Sequence, residues 1–167
     1  MPQVKIGVLI SGSGTNLQSL IDYIEKGTIK GIIKVVISNR KDAYGLERAE
    51  KYKIDAVYIR QKDYESFEAF NNAIIDELKA HDVELVVLAG YLKILTPKFI
   101  GEYKNRIINI HPSLIPAFCG KGYYGIKVHE EVINYGVKIS GATVHFVDEE
   151  ADTGPIIIQE AVEVADD

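Results

Sequence analysis

VKIGVLISGSGTNLQSLI, residues 4–21, is the stretch that decides the fold. Residues 4–10 are a β-rich apolar run, and residues 11–16 (SGSGTN) form a small polar turn. Leu17, Leu20, Ile21 and Ile24 then recur at the i, i+3, i+4, i+7 spacing of a helix with one apolar stripe. Gly27 is placed to stop that helix. A strand leading through a tight turn into an amphipathic helix is the opening of a βα unit, and the pattern then repeats. Strands are expected at 32–38, 56–59, 84–89 and 107–111, and helices at 44–52, 67–78, 97–103 and 126–135. The run ELVVLA at 84–89 has no polar alternation, as a strand covered on both faces requires. Such alternation predicts a doubly wound α/β fold, its sheet mostly parallel with helices on both faces. The tail departs from the pattern. Segments 139–147 and 156–164 are strand-like and joined by the acidic loop DEEADTGP with no helix between them. They are expected to be an antiparallel C-terminal pair. There is no internal repeat or linker, so residues 1–167 are read as a single domain.

The composition narrows the functional classes. The formal net charge is −5, which argues against a nucleic-acid backbone as the main partner. Cys119 is the single cysteine, so no internal disulfide framework exists. No apolar run approaches the roughly 20 residues that span a bilayer. The N-terminal residues go straight into a strand pattern without the features of a signal peptide. A cytoplasmic domain with no membrane or nucleic-acid partner is expected.

The turn after the first strand has the character of an anion site. Gly12 and Gly14 permit tight backbone geometry, and a helix start offers free N–H groups. The dinucleotide pattern G-x-G-x-x-G is not met, because its sixth position is Leu17. No G-K-[ST] triphosphate loop is present either. What remains is either a cradle for one phosphate, with Thr15 and Asn16 as added donors, or a plain βα turn capped by Ser13 or Thr15.

Residues 107–118, IINIHPSLIPAF, raise a sharper question. In a strand Asn109 and His111 project to the same face, and Pro112 ends the strand just beyond them. Both therefore lie at a strand's C-terminal end, where open α/β sheets bind ligands. An amide there can donate to an oxygen that becomes negative, and an imidazole can move a proton or stand as a cation beside it. The plainer reading is that both satisfy loop backbone groups. In the acidic loop, Asp148, Glu149 and Glu150 are read as solvated. Asp152 is set apart by the Thr153-Gly154-Pro155 turn and is placed to hydrogen-bond His111 and raise its pKa. Thr143 and His145 share a strand face and are read as inner supports of the loop. His129 is read as structural, His81 as a turn residue without companions, and Cys119 as lacking a catalytic role. No His, Cys and carboxylate set has metal-ligand spacing.

The segments VLISGSGTNLQSLID, VISNRKDAYGLERA, VVLAGYLKILTPKFI, RIINIHPSLIPAF, GATVHFV and DTGPIIIQEAV together closely resemble the phosphoribosylglycinamide formyltransferases. They cover nearly the whole chain in the family's order. The resemblance implies formyl transfer from 10-formyltetrahydrofolate, a co-substrate, to the amine of glycinamide ribonucleotide, without a metal. It implies a catalytic trio of Asn109, His111 and Asp152, and a phosphate cradle at Gly14, Thr15 and Asn16. It implies a folate site at Phe67, Leu92, Lys93, Ile94, Leu95 and Asn109, with Ile100 and Ile107 as apolar walls, in a monomer or homodimer. Three departures stand out. Phe67 occupies the place of an arginine that family members often carry near the folate's glutamate tail, with Lys93 where arginine is frequent nearby. The loop CGKGYYG replaces a histidine-bearing version. The family's further strand and helix are expected to be lacking after Asp167. The rival readings are a formyltetrahydrofolate deformylase and a non-catalytic folate- or nucleotide-binding module.

Overall fold

The computed structural model describes residues 2–165, which divide into two compact units, the first ending at Ile107 and the second beginning at Ile108. In the first unit β1 (Val4–Ile10), α1 (Thr15–Glu25), β2 (Gly31–Ser38), α2 (Tyr44–Lys51), β3 (Asp55–Tyr58), α3 (Phe67–Ala80), β4 (Leu85–Leu88) and α4 (Pro97–Glu102) follow in turn. Strand β1 pairs in parallel with β2 on one side and β4 on the other, and β2 pairs in parallel with β3. A central parallel strand must be apolar throughout, and Val8, Leu9 and Ile10 are all 0% exposed. Helices cover both faces of this sheet. Gly7 faces Leu78 of α3, whereas Ile10, three residues on and therefore on the opposite face, reaches Gly45 of α2.

Local sequence accounts for the starts of α3 and α4. Ser66 caps α3 by accepting from the N–H of Ala69 at 3.0 Å, and Thr96 caps α4, where Pro97 takes the first-turn position. His81, expected to stand alone, instead donates from Nδ1 to the Glu77 carbonyl (2.9 Å) and lies 3.1 Å from Asp55 through Nε2. It closes the end of α3 and ties it to the start of β3. Because all four strands are parallel, their C-terminal ends share one edge. That edge carries the glycine turn after β1 and the loops 39–43, 59–62 and 89–95.

The second unit holds β5 (Ile107–His111, which begins at the last residue of the first unit), α5 (Ile126–Tyr135), β6 (Ile139–Phe146) and β7 (Ile156–Glu163). The expected antiparallel pair of β6 and β7 is present. Strand β5 joins it, also antiparallel to β6. Every residue of β7 is exposed.

Candidate active site

The β5–β6 register builds the polar cluster. Asn109 pairs with His145, and His111 with Thr143. Directly opposed residues of an antiparallel pair share a face, so period 2 brings all four side chains together. His111, Thr143 and His145 are buried, at 4%, 0% and 2% exposure.

Each buried group has a partner. His111 donates from Nε2 to the Phe118 carbonyl at 2.8 Å, while its Nδ1 lies 3.5 Å from Oδ2 of Asp152. His145 donates from Nδ1 to its neighbour's carbonyl, Phe146 O, at 2.8 Å. Its Nε2 lies 3.2 Å from Nδ2 of Asn109 and 3.6 Å from Oδ1 of Asp152. One carboxylate thus stands between two imidazoles, and it also accepts from the Gly120 N–H at 2.9 Å. Burial raises the Asp152 pKa, but the His145 hydrogen bond, the Gly120 N–H and the nearby rings outweigh it and leave the pKa below its ordinary value. For His145 burial favours the neutral ring, and the Asp152 hydrogen bond, the Phe146 carbonyl and the charges of Asp152 and Asp148 reverse that, so its pKa is raised. The orientation of Asn109 is coupled to this ring. Neutral His145 can accept the Asn109 N–H at Nε2, whereas the cation presents an N–H there, 3.6 Å from Oδ1 of Asp152.

Backbone conformation aims these groups. Phe118 has φ 49° and Asp152 has φ 59°, the left-handed region that costs an L-residue about 1–2 kcal/mol. In Phe118 this conformation accompanies the carbonyl that meets His111. Ser113 donates to the Ala117 carbonyl at 2.6 Å, and Thr143 donates to the Ser113 carbonyl at 2.7 Å while accepting the N–H of Ile115. The loop after β5 is therefore braced from β6. Gly154 is required because a Cβ there would run into the Phe146 carbonyl. Asp148, read as merely solvated, accepts from the Glu150 N–H at 3.2 Å and the Thr153 hydroxyl at 2.7 Å, and so holds the Asp152 loop in its turn. Burial and then the Asp152 charge push the Cys119 thiol up, away from thiolate.

In the first unit the glycine turn is free of its own caps. Gly14 is the N-cap in the left-handed conformation (φ 71°), with no side-chain cap. Neither Ser13 nor Thr15 fills that role. Arg48 instead braces the turn, donating to the Ser13 carbonyl at 2.8 Å and to Gln18 at 3.0 Å. The side chains of Thr15 and Asn16 have no hydrogen-bond partner among the described residues. In the loop after β4, the Leu92 N–H donates to Ser11 Oγ at 2.9 Å, and Ser11 donates to Asn39 at 2.6 Å. The backbone of residues 93–95 makes no hydrogen bond among the described residues. Leu92 and Ile94 are exposed, whereas Leu95 and Ile107 are buried. Phe67 packs its ring 6.0 Å from that of Phe70 at the start of α3. Sequence reasoning missed a basic cavity of about 600 Å³ on this edge, although the signal was there: NRK follows β2 and RQK follows β3. It also missed Tyr91, whose hydroxyl is buried without a partner among the described residues. No group of three His, Cys, Asp or Glu among the described residues could hold a metal ion.

Comparison with known proteins gives a consistent picture. The sequence pattern described as formyl transferase matches residues 4–167. Phosphoribosylglycinamide formyltransferase of Haemophilus influenzae is 46% identical over 160 residues, covering 96% of this chain and 73% of the relative. The trifunctional purine biosynthetic protein adenosine-3 of Chironomus tentans is 47% identical over 98% of this chain, which spans only 12% of that protein. The crystal structure of glycinamide ribonucleotide transformylase 1 from Symbiobacterium toebii superposes with a TM-score of 0.92 at 47% identity, covering 98% of this chain and 75% of that one.

Proposed function

The chain belongs to the formyl transferase family, and we propose that it moves a formyl group from 10-formyltetrahydrofolate to the amine of 5-phosphoribosylglycinamide in de novo purine biosynthesis. The observation that carries the reading is the cluster in which Asp152 lies between His111 and His145 while Asn109 touches the latter. A fold alone requires no such convergence of polar groups, whereas acyl-type transfer does.

10-Formyltetrahydrofolate supplies the formyl carbon as an activated amide, so no enzyme-bound covalent intermediate is needed. Asn109 donates an N–H to the formyl oxygen as it gains charge in the tetrahedral intermediate. His111, whose Nδ1 faces the Asp152 carboxylate, is the group that carries the proton beside the same oxygen. The hydrogen on Nε2 is given to the Phe118 carbonyl in this structure, so its transfer to the reacting atoms requires that contact to break. Through His111 the proton lost by the attacking amine is balanced by the one gained by the departing folate nitrogen. One preorganised donor to such an oxyanion is worth about 3–4 kcal/mol of barrier.

Binding falls to the first unit. The uncapped start of α1, with Gly14 and the unpartnered side chains of Thr15 and Asn16, suits the substrate phosphate. The unpaired backbone of residues 93–95, beside exposed Leu92 and Ile94, suits a flat heterocycle that needs both hydrogen bonds and an apolar wall. We take residues 1–167 as one formyl transferase domain that acts on small molecules in the cytoplasm. No helix among the described residues is long and apolar enough to cross a membrane.

The test is acceptor dependence. Purified protein given both substrates should release tetrahydrofolate and N-formylglycinamide ribonucleotide in equal amounts. Folate turnover without the amine would point to a deformylase instead, and saturable binding without turnover to a non-catalytic module.

A further inference from the structure

The turn between β1 and α1 is held from outside by the start of α2. The N–H of Gly45 donates to the Gly12 carbonyl at 3.1 Å, and Nε of Arg48 donates to the Ser13 carbonyl at 2.8 Å. Two successive carbonyls of the turn are therefore drawn towards one helix. In a planar trans peptide the C=O and the N–H that follows it are antiparallel, and neither of these peptides is cis. The N–H groups of Ser13 and Gly14 consequently point away from α2. Neither has an acceptor among the described residues, and nor do those of Thr15, Asn16 and Leu17, because the first helical bond of α1 runs from Gln18 to Gly14. Successive unpaired donors of this kind suit an anion.

The local sequence leaves that orientation open. Gly14 has φ 71° and ψ 29°, and glycine takes either sign of φ at little cost. A flip of the Ser13–Gly14 peptide, which reverses that sign, would put the Ser13 carbonyl where the Gly14 N–H now stands. The turn would then present an acceptor to an anion and repel it. No larger residue can remove this freedom, because a Cβ on Gly14 would lie 2.6 Å from Cα of Gly45. Packing thus demands the one residue that lets the peptide flip, and the contact that selects between the two states comes from Arg48. Arg48 is itself fixed. Its Nη1 donates to Gln18 at 3.0 Å, Gln18 donates in turn to Asp22 and Tyr52, and the guanidinium lies 4.8 Å from the centre of the Tyr44 ring.

We propose that Arg48 is a positioning residue for the phosphate of the amine substrate. It holds the turn rather than the ligand, and selects the peptide orientation in which the Gly14 N–H faces the anion. Naming that anion as the phosphate of 5-phosphoribosylglycinamide rests on the formyl-transfer reading, whereas the selection of the peptide orientation does not.

The experiment titrates the full chain with ribose 5-phosphate, with ribose as the uncharged control, at low and at high salt. NMR shifts of the Ser13 carbonyl carbon and the Gly14 amide report the state of the turn. Arg48→Met removes the donor, Arg48→Lys keeps the charge without the planar fork, and Lys51→Met removes an exposed charge from the same helix. Unfolding midpoints are measured for all, and Arg48→Lys carries the comparison if Arg48→Met does not fold. Ribose 5-phosphate binding should weaken about tenfold in Arg48→Met and about three- to tenfold in Arg48→Lys, with the loss persisting at high salt and both NMR shifts moving. Lys51→Met should change binding less than about twofold. In turnover the Arg48 variants should raise KM for the amine substrate by a similar factor and leave kcat and the KM for formyl-folate nearly unchanged. Full recovery with lysine, or a loss that vanishes at high salt, makes Arg48 a mere charge and overturns the proposal. So does an unaltered protein that binds no ribose 5-phosphate, or a kcat that falls in step with a rise in both KM values. Arg48-dependent binding without any formylated product sinks the proposed activity and leaves the positioning role standing. Product formed with the amine KM unchanged in the Arg48 variants does the reverse.

Discussion

Oδ2 of Asp152 lies 3.5 Å from Nδ1 of His111, and the other nitrogen of that ring is held by the Phe118 carbonyl. Both ring nitrogens thus face an oxygen, one the Asp152 carboxylate and the other the Phe118 carbonyl. The carboxylate does double duty, since its second oxygen faces His145.

His111→Ala and Asp152→Asn should therefore each lower turnover by about 100- to 1000-fold. Asparagine at 152 keeps an oxygen to accept the Gly120 N–H, so its unfolding midpoint should stay near that of the unaltered protein. Steady-state kinetics and urea denaturation on the same preparations separate the two effects. Parallel losses in turnover and stability would show that the cluster merely holds the loop.

The pH dependence of stability follows from the two shifted groups. The folded-state pKa of His145 is raised above 6.5, so its contribution is complete below that value and is lost as pH rises through the folded pKa. Asp152 is lowered below 3.8, so its contribution is complete above that value and is lost as pH falls through the folded pKa. The pair supports the fold best between about pH 4 and 6.5. Urea unfolding at pH 6 and pH 8 should give a lower midpoint at pH 8, and Asp152→Asn should reduce that difference. An unchanged difference would mean that these groups do not set it.

Gly154→Ala should destabilise the protein by about 1–3 kcal/mol, because the added methyl runs into the Phe146 carbonyl. The same substitution at Gly12, where a Cβ meets nothing within 4 Å, should cost less. Denaturant midpoints of the two variants provide the comparison.

Tyr91→Phe should raise stability by about 1 kcal/mol, since it removes a buried hydroxyl that has no partner among the described residues. Burial also pushes the phenol's pKa up, so the group is neutral throughout the working range. A drop in stability would instead reveal a partner for the hydroxyl.

Much of the first unit was legible from local pattern. A strand buried on both faces must be apolar without alternation, and a helix on a sheet must carry a stripe, so β1, α1 and their successors could be read directly. Ser66, Thr96 and Pro97 announce helix starts by chemistry that acts within a few residues. His81 was misread for the complementary reason. Its partner Asp55 lies 26 residues away, and nothing local predicts that contact. Asp148 was taken as solvated because an acidic loop looks alike whether or not it folds back on itself.

The amino-acid sequence by itself determined that Asn109 and His111 share one face, and Thr143 and His145 another, because the strand repeat of two leaves no freedom. Only the tertiary structure decided that these faces coincide. The antiparallel register of β5 and β6 is a long-range pairing, and sliding it by one residue would have turned His145 away from Asn109. In the same way the basic residues after β2, β3 and β4 are separate clusters along the chain. They form one cavity because parallel strands bring their C-terminal ends to a single edge.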